Sequence, residues 1–295
     1  MYSKRIVTIL LLLGYLIAAC QPEPNVRSPS PTNPLTQTAS TEKQVTTEVP
    51  TETTVGTEEP TQEPTQVTTP TNPAETETGE IPRDVTEELL IPVEGLDLAG
   101  TFYFPANHSP PWPGVVLIHM MHGEQSQWES FPEQIADAGF AVLNIDLRGH
   151  GESGGDVDWD LAITDLQVVW DYFTAREDID QDRTAFVGAS IGANLALVAS
   201  SNEFSVRTAV LLSPGLSYAG VKTETAINSY GERPVLIIAS EEDSYAANSS
   251  TTLAANAIGN SQLIVYQGAG HGTFMLKAEP DLNQIIIEWI SQNLE

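Results

Sequence analysis

Runs of apolar residues recur along the chain from about residue 86 to the C-terminus. Val115–His119 and Phe140–Ile145 are continuous apolar runs of the kind that a strand buried on both faces requires. Elsewhere the apolar residues follow helical spacing, as in the stripe formed by Ala162, Leu166, Val169, Trp170 and Phe173. The pattern predicts strands that alternate with helices.

This alternation predicts an α/β fold, with a doubly wound, mostly parallel sheet and helices on both faces. Leu89–Ile91 and Thr101–Phe104, with Gly95 and Gly100 between them, predict an antiparallel hairpin at the start. The remaining predicted strands are Thr184–Val187, Thr208–Leu212, Val235–Ala239 and Leu263–Tyr266, and the remaining helices are Glu133–Ala138, Ile191–Ser200 and the segment of Leu282, Ile285, Ile286, Trp289 and Ile290. In such sheets the chemistry is expected at the carboxyl ends of the strands.

Residues 21–85 have a different composition. They contain no Phe, Trp or Tyr, and they hold 11 of the 20 prolines. Such a segment buries too little apolar surface to offset the conformational entropy that folding removes. We therefore predict a disordered Pro/Thr/Glu-rich tether at residues 20–85, followed by one folded domain at residues 86–295.

The N-terminus has the features of an export signal. Lys4 and Arg5 precede the apolar run Ile6–Ala19, which is short for a transmembrane helix. The run ends in Leu16-Ile17-Ala18-Ala19-Cys20, which resembles the bacterial lipobox. The resemblance implies a lipoprotein signal peptide at residues 1–19 and a lipidated Cys20 that tethers an exported domain to the cell membrane. An ordinary signal peptide or an N-terminal anchor helix is the alternative.

The formal net charge of −28 excludes one class of partner. Residues 21–85 carry 11 acidic and 3 basic residues, a net charge of −8, and residues 1–20 carry +2, which leaves −22 for residues 86–295. A domain this acidic repels phosphate backbones, so we expect no nucleic-acid partner. The single cysteine allows no intramolecular disulfide. We expect neither a cofactor nor an obligate protein partner.

The segment Gly188-Ala189-Ser190-Ile191-Gly192 carries the strongest chemical signal. It lies between a predicted strand and a predicted helix, where G-x-S-x-G forms a tight turn that presents the serine above the sheet edge. The helix N-terminus beside Ser190 also favours developing negative charge. Ser190 is therefore the candidate nucleophile, and we expect its hydroxyl to be exposed.

A serine nucleophile needs a base, and the base needs a carboxylate that orients it. His271 follows the last predicted strand on a glycine-rich loop, and is the candidate base. Three adjacent carboxylates, Glu241, Glu242 and Asp243, follow the strand before it. We choose Asp243 as the orienting carboxylate and keep Glu241 and Glu242 as alternatives.

The chain order Ser190, Asp243, His271 and the turn around the serine resemble the α/β-hydrolase superfamily, in particular serine esterases and dienelactone-hydrolase-like proteins. The resemblance covers residues 86–295. Asp146–Ser153 is similar to the superfamily segment that follows the strand preceding the nucleophile region. One departure from the dienelactone hydrolases is that a serine stands where they have a cysteine.

Val115–Met121 resembles the superfamily strand that ends in His-Gly-x, whose third position supplies an N–H group to the oxyanion hole. The resemblance implies that the N–H groups of Met121 and Ile191 form this hole. The sequence departs from the pattern because Met120 stands in the place of the glycine. A register on His122-Gly123-Glu124 is therefore the alternative.

The other histidines have no catalytic role in this interpretation. His119 and His122 have the spacing of a metal-binding pair, but no matching carboxylate cluster accompanies them, so we expect no metal site. His150, on a glycine-flanked turn, is expected to be structural. His108 lies in a proline-rich turn and is expected to be exposed.

These residues predict hydrolysis of small-molecule carboxylic esters through a serine acyl-enzyme. Cleavage of peptides or amides by the same triad and an inactive cell-surface binding module are the alternatives. Residues 213–234 connect the predicted strand Thr208–Leu212 to the predicted strand Val235–Ala239. This connection is too short to build a cap with its own core over the site. We therefore expect an open site that prefers short acyl chains, with an acyl pocket formed mainly by Met120, Met121, Ile191 and nearby loops.

Overall fold

The computed structural model describes residues 86–203 and 205–295. Its strands are β1 (Thr86–Val93), β2 (Leu96–Tyr103), β3 (Trp112–Ile118), β4 (Ala141–Ile145), β5 (Ile179–Ala189), β6 (Val206–Leu212), β7 (Ser217–Tyr218), β8 (Val221–Lys222), β9 (Val235–Ser240) and β10 (Ser261–Tyr266). Its α-helices are α1 (Phe131–Asp137), α2 (Trp159–Thr174), α3 (Ile191–Asn202), α4 (Glu224–Tyr230), α5 (Ser244–Asn256), α6 (Phe274–Ala278) and α7 (Leu282–Leu294), and a 3-10 helix spans Gln125–Trp128.

Eight of these strands form one sheet, in the order β1-β2-β4-β3-β5-β6-β9-β10. The strands β4, β3, β5, β6, β9 and β10 pair in parallel, whereas β2 pairs antiparallel with both β1 and β4. The strand order reverses on either side of β3, and the chain therefore winds outward in both directions. The predicted mostly parallel sheet with an N-terminal antiparallel hairpin is confirmed.

Helices cover the sheet on both faces because successive strand residues point to opposite sides. Val115 and Leu117 of β3 lie in a cluster with buried residues of α1 and α7. Val116 and Ile118 of the same strand lie in a second cluster with α2 and α3. All four side chains are fully buried, which explains why β3 appears in the sequence as an unbroken apolar run.

The opening hairpin differs from the prediction in one respect. Gly100 was expected in the connection, but it lies inside β2, where it pairs with Leu89 of β1 and Ile145 of β4. A Cβ at Gly100 would lie 3.1 Å from the carbonyl oxygen of Asn144, so a close approach of β4 accounts for this glycine. The turn is confined to the two residues between the strands, and it includes Gly95 with φ of +81°.

The connection after β6 contains β7, β8 and α4, which the sequence pattern did not predict. The side chains of Ile227 and Tyr230 on α4 are buried in the same cluster as α2 and α3. The connection is therefore part of the main core, and the prediction that the domain has no large cap is confirmed. The polar helix α5 and the short helix α6 were also not predicted.

The predicted signal peptide, the lipidation of Cys20 and the tether fall within residues 1–85, outside the described residues. Among the described residues, no helix has both the length and the apolar character needed to cross a membrane.

Candidate active site

Ser190 occupies the turn between β5 and α3. Its φ of +56° is unusual for a residue other than glycine, and strained conformations of this kind cluster at active sites. The flanking glycines allow the turn, because a Cβ at Gly188 would clash with the carbonyl of Gly192, and one at Gly192 with the carbonyl of Ile118. Ser190 as a whole is only 7% exposed and is therefore recessed, but its unbonded hydroxyl is not shut off from solvent.

Asp243 and His271 come from two different loops and contact each other directly. Asp243 precedes α5, and one of its carboxylate oxygens accepts a hydrogen bond from the N–H of Ala246 at 3.3 Å. The other oxygen, Oδ2, accepts a hydrogen bond from Nδ1 of His271. With its ring proton on Nδ1, His271 presents the lone pair of Nε2 to accept a proton.

Glu241 and Glu242 contact the loop that precedes His271, and neither contacts the ring. Glu242 accepts hydrogen bonds from the N–H of Gly268 and from the hydroxyl of Ser240. The Ser240 hydroxyl holds the pKa of Glu242 below its ordinary value, and the amide hydrogen bonds act in the same direction. Glu241 accepts a hydrogen bond from Nε2 of Gln267 at 3.0 Å. Of the three candidate carboxylates, Asp243 is the one paired with His271.

The loops that carry Ser190 and His271 meet at Gly272. A Cβ at Gly272 would clash with Sδ of Met120 and lie 3.5 Å from Cβ of Ala189. The N–H of Gly272 donates to the hydroxyl of Ser213, at the end of β6, at 2.9 Å. The residues adjacent in sequence to Ser190 and His271 therefore pack together.

The Ser190 hydroxyl itself is not engaged by these contacts. Its side chain makes no capping hydrogen bond to α3, and no hydrogen bond joins it to His271 in this structure. The structure thus forms one of the two side-chain contacts of a triad, the one between Asp243 and His271. Serine–histidine hydrogen bonds are often long in the absence of substrate.

The candidate oxyanion donors differ in how their N–H groups are used. Ile191 is the first residue of α3, where an N–H has no acceptor within the helix. The N–H of Gly123 donates to the carbonyl of Met120 at 3.1 Å, and the N–H of Met120 donates to Oε1 of Gln127 at 3.2 Å. Among the described residues, the N–H of Met121 has no such acceptor. The N–H of Glu124, which the His122-Gly123-Glu124 register would use, likewise has no such acceptor there, so this criterion does not separate the two registers.

Met120 and Ile191 do not line an open pocket. Ile191 is fully buried in the cluster with α2 and α3, and Met120 is buried in the opposite cluster with α1 and α7. Their side chains fill the core beneath the site, so the expectation that they form most of an acyl pocket is wrong. Met121 is the partly exposed member of the three.

His119 is a buried structural residue. Its Nδ1 donates to the carbonyl of Met120 at 2.7 Å, and its Nε2 accepts from the N–H of Leu147 at 2.9 Å. Burial lowers the pKa of His119 to about 4, so the ring is neutral near pH 7. Because both ring nitrogens are engaged, the spacing between His119 and His122 does not make a metal pair. Across residues 86–203 and 205–295, no cluster of three or more metal-ligating side chains is present.

The segment Asp146–Ser153 is held in place by hydrogen bonds and an ion pair. The carboxylate of Asp146 accepts hydrogen bonds from the N–H groups of Gln125 at 2.6 Å and Glu152 at 3.0 Å. Arg148 forms a buried ion pair with Asp165 of α2 at 2.6 Å. His150 packs against His119 with ring centroids 5.0 Å apart, and His108 is exposed.

Two tyrosines near His271 were missed by the sequence analysis. Tyr218 of β7 contacts the His271 ring edge to face, with centroids 6.3 Å apart, and Tyr245 of α5 contacts Tyr218 in the same way at 5.5 Å. Nothing in their local sequence indicates this, since isolated tyrosines occur throughout the domain. The contact depends on the fold of two loops that are distant in sequence.

The mostly parallel eight-stranded sheet with helices on both faces is the α/β-hydrolase fold. Residues 109–230 match the family model described as serine aminopeptidase, S33, and residues 214–293 match the one described as TAP-like protein. The chain is 28% identical over 207 residues to the uncharacterized protein Rv2307c of Mycobacterium tuberculosis, a match that covers 64% of this chain and 72% of that protein.

Several solved structures share the fold. Est1E from Butyrivibrio proteoclasticus, solved with ferulic acid bound, has a TM-score of 0.61 at 19% identity, covering 70% of this chain and 98% of that chain. A dienelactone hydrolase from Anabaena variabilis has a TM-score of 0.60 at 19% identity, covering 72% of this chain and 100% of that chain. At these identities the similarity to the solved structures is one of fold.

Proposed function

We propose that the chain is a serine hydrolase that cleaves carboxylic esters of small molecules through an acyl-enzyme. The observation that carries the proposal is the hydrogen bond from Nδ1 of His271 to Asp243, on a loop that packs against the nucleophile turn through Gly272 and Ala189. This contact fixes the tautomer in which Nε2 of His271 accepts a proton. The strained conformation of Ser190 adds independent support.

In the proposed reaction, Nε2 of His271 takes the proton of the Ser190 hydroxyl as Oγ attacks the ester carbonyl carbon. The tetrahedral intermediate collapses when the bond to the alcohol oxygen breaks and His271 returns the proton to that oxygen. Water then attacks the acyl-enzyme, gives a proton to Nε2, and releases the carboxylic acid as the proton returns to Ser190. Asp243 stabilises the imidazolium that forms in both halves of the reaction.

The oxyanion of each intermediate is assigned to the N–H groups of Met121 and Ile191. Support comes from the resemblance of Val115–Met121 to the strand that ends in His-Gly-x, and from the absence of competing acceptors for these two groups among the described residues. The N-terminus of α3 adds a favourable field at the same place. Preorganised donors of this kind stabilise the charge that develops in the transition state.

Peptide or amide cleavage is the second candidate, because residues 109–230 match a family model described as serine aminopeptidase. A matched pair of substrates separates the two reactions. We propose to assay the purified chain on p-nitrophenyl butyrate and on alanine p-nitroanilide, which release chromogenic products. Faster ester turnover supports the esterase, faster anilide turnover supports the peptidase, and an inert binding module would turn over neither.

The place of action is a further part of the proposal. We assign Cys20 as the lipidated N-terminus of an exported protein, with residues 20–85 as a tether to the cell membrane. The support is the sequence alone: a lipobox-like run followed by a segment rich in proline, threonine and glutamate. A flexible chain of this length would hold the domain roughly 45 Å from its anchor.

A further inference from the structure

Two tyrosines form an aromatic surface beside the proposed catalytic histidine. The ring of Tyr218 stands at 89° to the ring of His271, with centroids 6.3 Å apart, and at 68° to the ring of Tyr245, with centroids 5.5 Å apart. Tyr218 lies on the connection after β6, and Tyr245 lies at the start of α5, two residues after Asp243. We refer to Tyr218 and Tyr245 as the aromatic wall.

The aromatic wall is held in place by contacts of its own. The hydroxyl of Tyr245 accepts a hydrogen bond from the N–H of Ser217 and donates one to its carbonyl, both at 3.0 Å. Both rings approach Gly215 so closely that a Cβ there would lie 2.7 Å from Tyr218 and 2.8 Å from Tyr245. A rigid ring surface loses little conformational entropy when a ligand binds.

The aromatic wall is also accessible and uncharged. Tyr245 is 47% exposed and Tyr218 is partly exposed, whereas large aromatic side chains are more often buried. Burial raises the pKa of Tyr218, and the nearby carboxylate of Asp243 raises it further, so its phenol stays neutral. An exposed, neutral aromatic surface suits an apolar or aromatic group of a ligand.

The reaction determines which part of the substrate reaches this surface. In ester cleavage, His271 returns a proton to the departing alcohol oxygen, so the alcohol part must lie against the His271 ring when the bond breaks. Tyr218 contacts that same ring. The alcohol part of the ester, rather than its acyl part, is therefore the group next to the aromatic wall.

We propose that Tyr218 and Tyr245 form a binding surface for an aromatic ring in the alcohol part of the ester. The substrate class is then arylmethyl or related esters with a small acyl group. This inference rests on the proposed function for the position of the alcohol. The affinity of the aromatic wall for an aromatic ring does not depend on the proposed function.

A matched pair of esters tests the inference. Benzyl acetate and cyclohexylmethyl acetate share the acyl group, have rings of similar size and release primary alcohols, so they differ mainly in aromaticity. Released alcohol is measured by gas chromatography with the full chain. An aromatic pair adds about 0.5–1.5 kcal/mol beyond its buried area, so we expect kcat/KM for the benzyl ester to be about threefold to tenfold higher. Equal values for the two esters in the parent protein would overturn the proposal.

Substitutions locate the preference. Tyr218→Leu and Tyr245→Leu should each bring the benzyl to cyclohexylmethyl ratio close to one, whereas Tyr218→Phe, which keeps the ring, should preserve it. Tyr172→Leu on α2 is the matched control and should also preserve the ratio. If Tyr218→Leu does not fold, the more exposed Tyr245→Leu carries the test. A ratio that survives the loss of either aromatic ring contradicts the assignment of the wall.

A binding measurement separates failure of this inference from failure of the proposed function. Binding of benzyl alcohol and cyclohexylmethanol is followed by saturation-transfer NMR, which requires no turnover. If neither ester is cleaved but benzyl alcohol binds better and loses this advantage in Tyr245→Leu, the proposed function fails and the aromatic wall stands. If the two alcohols bind equally in the parent protein, the aromatic wall fails whatever the ester assay shows.

Discussion

The carboxylate of Asp243 accepts the hydrogen bond of Nδ1 of His271 across 28 positions of sequence. Asp243 also accepts a hydrogen bond from the first turn of α5, so the same side chain both begins a helix and orients a histidine. Glu242, its neighbour in sequence, instead holds the N–H of Gly268. Adjacent carboxylates thus have separate tasks: one contacts the ring, and the other fixes the loop that carries the ring.

This division predicts different effects for three conservative substitutions. Asp243→Asn removes the charge that stabilises the imidazolium and should reduce kcat by about two to four orders of magnitude. Glu242→Gln weakens the support of the His271 loop and should cost less, about tenfold. Glu241→Gln, which affects a contact on the protein surface with Gln267, is the matched control and should change kcat by less than about threefold. Steady-state kinetics on p-nitrophenyl butyrate measures all three, and a larger loss in Glu241→Gln than in Asp243→Asn contradicts the assignment.

The length of the acyl chain provides a second prediction. The connection after β6 is built into the main core through Ile227 and Tyr230, so it is not a separate cap over the site. A long acyl chain then gains little burial, and each methylene left in water forgoes about 0.8 kcal/mol of binding. We expect p-nitrophenyl acetate and butyrate to have higher kcat/KM than the laurate, with no rate increase above the micellar concentration. A preference for laurate would require a deep tunnel or a lid.

The buried histidine His119 predicts how stability depends on pH. Its folded-state pKa is about 4, below the ordinary value of 6.5, so between these values the unfolded chain binds a proton that the folded chain does not. The contribution of neutral His119 to the free energy of unfolding is fully present above pH 6.5 and is lost as pH falls toward 4. The largest loss is about 3 kcal/mol. Urea unfolding at pH 7 and pH 5 should show the decrease. His119→Gln should reduce the pH dependence, while His108→Gln, at an exposed position, should not; equal pH dependence in all three proteins contradicts the prediction.

Cys20 provides a prediction about location. Cys20→Ser removes the thiol that would be acylated, so the protein should move from the membrane fraction to the soluble fraction or remain unprocessed. Fractionation and mass spectrometry of the mature N-terminus measure the change. Ser3→Ala, in the segment before the apolar run, is the control and should leave both readouts unaltered. An uncleaved and unmodified N-terminus in the parent protein would indicate an anchor helix instead.

The sequence was sufficient for the parts of the fold that leave a periodic apolar pattern. β3 and α2 were predicted because β3 is buried on both faces and α2 has one buried stripe. By contrast, α5 consists mainly of Ser, Ala, Asn and Thr and has a single large buried apolar residue, Leu253, so it leaves no stripe. Gly100 was assigned to a turn because a glycine inside a strand and a glycine in a turn look alike without knowledge of the neighbouring strand.

The candidate site was predictable to the extent that its residues follow strands. Ser190, Asp243 and His271 each lie just beyond a strand, and the carboxyl ends of parallel strands share one edge of the sheet. The contact of Tyr218 with the histidine, and that of Tyr245 with Tyr218, depend on how segments distant in sequence come together, which local sequence does not determine. The small exposed area of Ser190 likewise results from packing by the surrounding loops, which the turn motif alone does not reveal.

The most direct test of the central claim is covalent labelling of Ser190. A fluorophosphonate reacts with an activated serine, so the parent protein should be labelled, and peptide mass spectrometry should find the adduct on Ser190. Ser190→Ala should abolish labelling and reduce ester turnover by about three orders of magnitude or more, with an unchanged circular dichroism spectrum. Ser291→Ala, on α7, is the control serine and should retain the label. Labelling that persists in Ser190→Ala, or an adduct mapped to another serine, would contradict the account.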